Sequence, residues 1–207
     1  MRNHKKMNTV HRHIKFPIDI FTHPVLDIKT LIKEYNVELN EDTLCHFRFP
    51  LSAIPNEFND WFHKQYPDLY IKDWEVFYTP AGHQLPIHSD GFKPFIDFIK
   101  FNYVYNGDNS TMSWYELIDD SDLQADRTGI NTSYTAISPE NVKLIHQCNI
   151  GTPSLINAGV AHGVDNSNNE KARWCVCLIP CYRNPKEGET SRIVFQDALS
   201  IFESYIN

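Results

Sequence analysis

The sequence predicts a mainly β fold, a sandwich or jelly roll with flanking N-terminal and C-terminal helices. Three observations carry this. From Asp73 to Pro180 the chain runs through short aromatic and β-branched segments separated by turn residues, the texture of successive strands rather than of alternating β/α units. Before Asp73 the apolar residues recur at three- and four-residue spacing, and after Ser191 an apolar face returns with the same period, both signs of helices that bury one side. With 42% hydrophobic and 13% aromatic residues and only 8 Gly, the chain has the composition of an ordinary globular protein. Its 207 residues suit a single domain spanning 1–207, divided into an N-terminal helical segment 1–72, a β core 73–182 and a C-terminal helix 183–207.

After His23-Pro24, Val25, Leu26, Ile28, Leu31, Ile32 and Tyr35 fall on one helical face, with Pro24 in the first turn. A second helix follows Ile54-Pro55, with Phe58, Trp61, Phe62 and Tyr66 on its buried side, and ends before Pro67. Strands are expected at 74–79, 95–105, 111–118, 134–137, 142–148, 154–157 and 174–180. The Asp-, Ser- and Thr-rich stretch from Asp119 to Ser133 reads as a long loop, either a lid or an insertion. Ser191 to Ile206 reads as a helix that covers the sheet or makes a homodimer contact.

A net charge of −7, with 26 acidic residues, gives no basic footprint for nucleic acid. Only the start is basic, through Arg2, His4, Lys5, Lys6, His11, Arg12, His13 and Lys15; it reads as a solvated terminus rather than an arm for an anionic partner. No apolar run reaches membrane-spanning length and no signal-peptide pattern follows the basic start, so a cytoplasmic protein without a membrane partner is expected. Five cysteines are an odd number and suggest reduced thiols. Cys175, Cys177 and Cys181 are poorly spaced for zinc and read as apolar wall residues.

The chemistry concentrates in His88-Ser89-Asp90, at the end of the extended segment Leu85-Pro86-Ile87, where residues two apart point the same way. His162 follows in the turn-rich stretch Asn157-Ala158-Gly159-Val160-Ala161, and Arg173 heads the next strand. Two imidazoles and a carboxylate make a facial triad that leaves coordination positions of Fe(II) open. An inward guanidinium needs an anion, and a carboxylate is its natural bidentate partner. Trp114 and Tyr115 are expected at the mouth of the substrate pocket, and His23, His83 and His146 receive no role.

In this order, HxD, then His, then Arg, the chain resembles the Fe(II)/2-oxoglutarate-dependent dioxygenase superfamily. The likeness runs over most of residues 74–182, through Phe77-Tyr78-Thr79-Pro80-Ala81-Gly82 and His88-Ser89-Asp90, then Gly151-Thr152-Pro153 to Asn157, His162-Gly163-Val164 and Arg173. Segments such as Lys100-Phe101-Asn102-Tyr103 resemble the proline- and aspartyl/asparaginyl-hydroxylase-like branches. The resemblance implies a double-stranded β-helix of cupin type in which His88, Asp90 and His162 ligate iron and Arg173, Tyr78 and Asn102 touch 2-oxoglutarate. It further implies O2-dependent hydroxylation of an amino acid, a protein side chain or a small metabolite, with succinate and CO2 released. The alternatives are a cupin-type metal isomerase or hydrolase, and a non-catalytic jelly-roll binding module.

Overall fold

The structure, a computed structural model, describes residues 9–91, 96–150, 153–185 and 190–207. Arg2, His4, Lys5 and Lys6 of the basic start, Phe95, and Gly151-Thr152 lie outside the described residues. In chain order the elements are β1 (His11–His13), α1 (Pro24–Glu34), β2 (Cys45–Arg48), α2 (Asn56–Gln65), β3 (Leu69–Thr79), β4 (Gln84–Asp90), β5 (Ile99–Tyr105) and β6 (Thr111–Leu117). They continue with β7 (Gln124–Arg127), β8 (Ser133–Ala136), β9 (Val142–Cys148), β10 (Ser154–Asn157), β11 (Ala161–Asp165), β12 (Arg173–Tyr182) and α3 (Phe195–Ile201).

Two six-stranded sheets form, in the orders β1-β10-β5-β12-β3-β2 and β7-β8-β4-β11-β6-β9. Every pairing in them is antiparallel. From β3 to β6, and again from β9 to β12, the chain steps from one sheet to the other at each connection. That alternation winds the two halves into a double-stranded β-helix, the architecture expected from the sequence.

Strand alternation then sorts side chains between two cores. Trp74, Val76 and Tyr78 of β3, Phe101 and Tyr103 of β5, and Trp174, Val176 and Leu178 of β12 face outward from the first sheet. There they meet Ile28 and Ile32 of α1, Phe58 and Phe62 of α2, and Phe195 and Ala198 of α3. Phe58 and Phe62 are fully buried; side chains of this size contribute roughly 1.5–3 kcal/mol each when taken out of water. The opposite faces enclose a smaller interior with Met112, Trp114, Ile156, Val164, Cys175 and Cys177.

Several expectations need correction. The segment before Asp73 is not only helical, because β1 and β2 join the first sheet and β3 begins at Leu69. Residues 119–133 are not a bare loop: β7 pairs with β8 through an Asn131 turn at φ 64°. The last helix spans only Phe195–Ile201, since Val194 is extended and Arg192 bridges to Cys181. Its apolar face covers the sheet, with Phe202 against Phe101 at 4.9 Å between ring centres. All five cysteines are free thiols. Among the described residues, no helix is long and apolar enough to cross a membrane.

Candidate metal centre

The local fold delivers three donors to one point inside the barrel. His88 and Asp90 lie two apart on β4 and therefore share its inner face. His162 on β11 is the direct cross-strand partner of His88, and their rings stand 4.4 Å apart. The turn that presents His162 is tightly held. Asn157, fully buried, accepts from the Gly159 amide at 3.2 Å and donates to Asp97 at 2.9 Å, and Asp97 also accepts from the Phe195 amide at the start of α3. Gly159 is required there, because a Cβ at that position would stand 1.8 Å from the Ile96 carbonyl oxygen.

Both imidazoles are oriented in the same way. Nδ1 of His88 donates to the Pro86 carbonyl and Nδ1 of His162 to the Val160 carbonyl, each at 2.8 Å. A carbonyl only accepts, so Nδ1 carries the proton and the Nε2 lone pair is left for an ion. Burial, reinforced by His88, lowers the His162 pKa to about 4, so this ring is neutral at neutral pH. Ligand atoms of His88, Asp90 and His162 all lie within 4.8 Å of one another. Two imidazole donors and one carboxylate around a common point fit a first-row divalent ion.

Two residues without an assigned role from sequence support this centre. Lys100, 3% exposed on β5, holds Asp90 Oδ2 at 3.1 Å and Glu75 Oε2 at 3.1 Å. Asp90 Oδ1, 4.0 Å from His88 Nε2, is the oxygen left toward the imidazoles. Burial would raise the Asp90 carboxyl, yet Lys100, His162 and His88 hold it below the usual carboxylate range. Glu75, 1% exposed, is likewise kept ionised against burial by Lys100, His46 and Arg48. It accepts from Arg48 at 2.9 Å and from Thr132 at 3.1 Å.

The triad lines a small pocket together with Lys100, Asn102, Arg173, Cys175 and Phe77. Arg173 is 3% exposed, and no carboxylate among the described residues lies within ion-pair distance of its guanidinium. Its field is felt by Cys175, whose thiol pKa is drawn down to about 7, first by a hydrogen bond with Cys177 at 3.6 Å and, against burial, by Arg173 and Lys100. Asn102 Oδ1 is buried without a partner among the described residues. A buried cation and an orphaned amide beside an ion site fit a small dicarboxylate. A second cavity shares Asp90 and Lys100 and is walled by Arg48, Lys72, Thr132 and Arg192.

Three sequence expectations fail here. Tyr78 does not reach the cavity: it is the cross-strand partner of Trp174 on the outer face, with ring centres 4.6 Å apart, and donates to the Glu41 carbonyl. Phe77, stacked on His46 at 4.0 Å, takes the inward place on β3. Trp114 is fully buried inside the barrel rather than at a mouth, and Tyr115, its neighbour on β6, points to the other side of the sheet.

No family model matches the sequence, and no curated protein matches it. Solved structures with a similar course include the non-heme alpha ketoglutarate dependent carbocyclase SnoK from nogalamycin biosynthesis, with 10% identity, TM-score 0.49 and 91% and 90% of the two chains covered. The epimerase SnoN of the same biosynthesis gives 9%, 0.46, and 90% and 89%. HygX from Streptomyces hygroscopicus, solved with nickel and 2-oxoglutarate, gives 12%, 0.44, and 86% and 91%. With identities this low and TM-scores under 0.5, the functional assignment rests on the chain's own site.

Proposed function

We propose that this chain is an Fe(II)- and 2-oxoglutarate-dependent oxygenase. The observation that carries the reading is one pocket lined by His88, Asp90 and His162 together with the buried Arg173, which lacks a carboxylate partner among the described residues. In this reading the triad holds iron, and Arg173 with Asn102 takes the far carboxylate of 2-oxoglutarate. Iron bound there supplies O2 activation coupled to decarboxylation of 2-oxoglutarate to succinate and CO2, with one oxygen atom transferred to the substrate. The protein's own part is to fix the donors. Pro86 and Val160 carbonyls orient the imidazoles, and Lys100 restrains Asp90. The primary substrate, an amino acid, a protein side chain or a polar metabolite, enters from the second cavity, which reaches Asp90. Because Asp90 supplies a carboxylate ligand, hydroxylation is the favoured outcome.

The test is anaerobic addition of Fe(II) and 2-oxoglutarate, followed by a substrate screen scored as succinate formed on admitting O2. An Fe(II)-dependent 2-oxoglutarate absorbance band and O2-dependent succinate are expected, and both disappear in His88→Ala, Asp90→Ala and His162→Ala. Turnover without O2 and without the band would instead identify a cupin-type isomerase or hydrolase.

A further inference from the structure

A second group of donors lies where the two sheets come together at one side of the barrel. β1 is the outermost strand of the first sheet and β9 the outermost strand of the second. Among the described residues no backbone pairing joins them; side chains do. His11 Nδ1 stands 3.1 Å from His146 Nε2, and His11 Nε2 stands 3.5 Å from Cys148 Sγ. Cys148 Sγ is 4.0 Å from His11 Nδ1, and donor atoms of all three residues lie within 4.8 Å of one another. We propose that His11, His146 and Cys148 form a second metal site, for a zinc(II)-like ion, that clasps the edges of the two sheets.

The chemistry selects the class of ion. Two imidazoles and a thiolate are the ligands of zinc, cobalt and copper, not of magnesium or calcium. Tetrahedral bonds of ~2.0–2.1 Å to nitrogen and ~2.3 Å to sulfur place neighbouring donors roughly 3.3–3.6 Å apart; from its Nδ1, His11 stands 3.1 Å from His146 Nε2 and 4.0 Å from Cys148 Sγ, on either side of that range. The three side chains are half-buried, which leaves a fourth position for water. Trp114 packs on the group, with its ring 5.4 Å from His11 and 5.4 Å from His146, and fixes both imidazole planes.

This site is distinct from the triad. Cross-strand pairing runs His146, Trp114, His162, His88 along one inward row of the second sheet. At about 4.8 Å per strand, His146 and His162 are separated by about 10 Å, with Trp114 between them. The two groups share no ligand, so either can be lost alone, and the proposal stands or falls independently of the oxygenase reading.

Anaerobic titration of the full-length chain with Co(II) tests it, because cobalt reports a thiolate ligand through a near-ultraviolet charge-transfer band. The wild type is expected to bind two equivalents, one of them accompanied by that band. Cys148→Ser should lose the band and weaken one equivalent by about 100-fold or more, while His162→Ala keeps the band and loses the other equivalent. His146→Gln, which leaves the thiol in place, should weaken the same equivalent as Cys148→Ser and carries the comparison if the serine variant does not fold. A wild type that binds cobalt without the thiolate band, or a thiolate band that survives in Cys148→Ser, would overturn the assignment.

Discussion

Replacing Lys100 by Met isolates what the buried charge cluster contributes. Lys100 Nζ lies 3.1 Å from both Asp90 Oδ2 and Glu75 Oε2, and its side chain is 4% exposed. Met matches the stem but removes the only cation that touches both carboxylates among the described residues. Glu75 retains Arg48 and Thr132; Asp90, in the metal-free protein, retains no Lys or Arg within ion-pair distance among the described residues. Removing one partner of a buried pair costs roughly 3–5 kcal/mol, because the stranded charge cannot be rehydrated. For a chain of this length about 1 kcal/mol moves the melting temperature by about 2–4 °C, so a fall of roughly 6–20 °C is expected in calorimetry without metal. Adding Asp90→Asn to Lys100→Met should recover at least about 1 kcal/mol, since the orphaned charge is then gone. Iron should bind Lys100→Met but hold Asp90 less firmly. A loss under 1 kcal/mol, or a double variant no better than the single one, would refute the argument that Lys100 neutralises these two carboxylates.

Arg173→Ala should weaken 2-oxoglutarate binding by about 30-fold or more, from loss of a charge-assisted pair of ~2–5 kcal/mol, while Fe(II) affinity stays within a few-fold; Arg173→Lys should restore only part, since an ammonium lacks the planar fork. Equal co-substrate affinities in wild type and Arg173→Ala would remove Arg173 from the site. The metal-free protein should gain stability as pH rises from about 4 to about 6.5. His11 and His162 have folded pKa values near 4, below the usual imidazole value, so the unfolded chain binds more protons across that window. Urea midpoints at several pH values measure this, and His162→Gln should flatten the slope. Gly159→Ala should destabilise by about 1–3 kcal/mol through backbone displacement at Ile96 and weaken metal binding with it, read by thermal melting and Co(II) titration; an unchanged melt would show that the turn relaxes freely.

The strands of the barrel were legible because their aromatic and β-branched runs are long enough to display a period of two. That period also makes His88 and Asp90 readable as a pair and sets Lys100 and Asn102 on the face opposite Phe101 and Tyr103; the folded sheet turns the polar pair to the pocket and the aromatic pair to the helices. β1 and β2, of three and four residues, carry charged and His residues and exist only by virtue of their neighbours, so no local pattern announced them. The helices Pro24–Glu34 and Asn56–Gln65 are legible because Ile28 and Ile32, and Phe58 and Phe62, repeat at four-residue spacing. At the C-terminus the apolar period continued beyond Ile201, but Phe202 ends the helix in a capping conformation and the chain tightens into a further turn.

Alternation states which residues share a face, but it does not state which face is inside. Tyr78 shows the difference. On β3 it must lie with Trp74 and Val76, and pairing with Trp174 fixes that set outward; without the register, Tyr78 and Phe77 were equal candidates for the cavity. Glu75 belongs to the inward set with Phe77, and a glutamate amid Trp74, Val76 and Phe77 was the available signal that a buried cation must answer it. Its partner, Lys100, stands 25 positions away on β5, and only the order of strands in the sheet brings the two together. The same holds more strongly for His11 and Cys148, 137 positions apart. Each is unremarkable within its own segment, and they become a set of ligands only because the outer strands of two different sheets close against each other. Sites built on neighbouring positions of one strand are therefore visible in sequence, whereas sites built across the seam of a barrel depend on how the barrel closes.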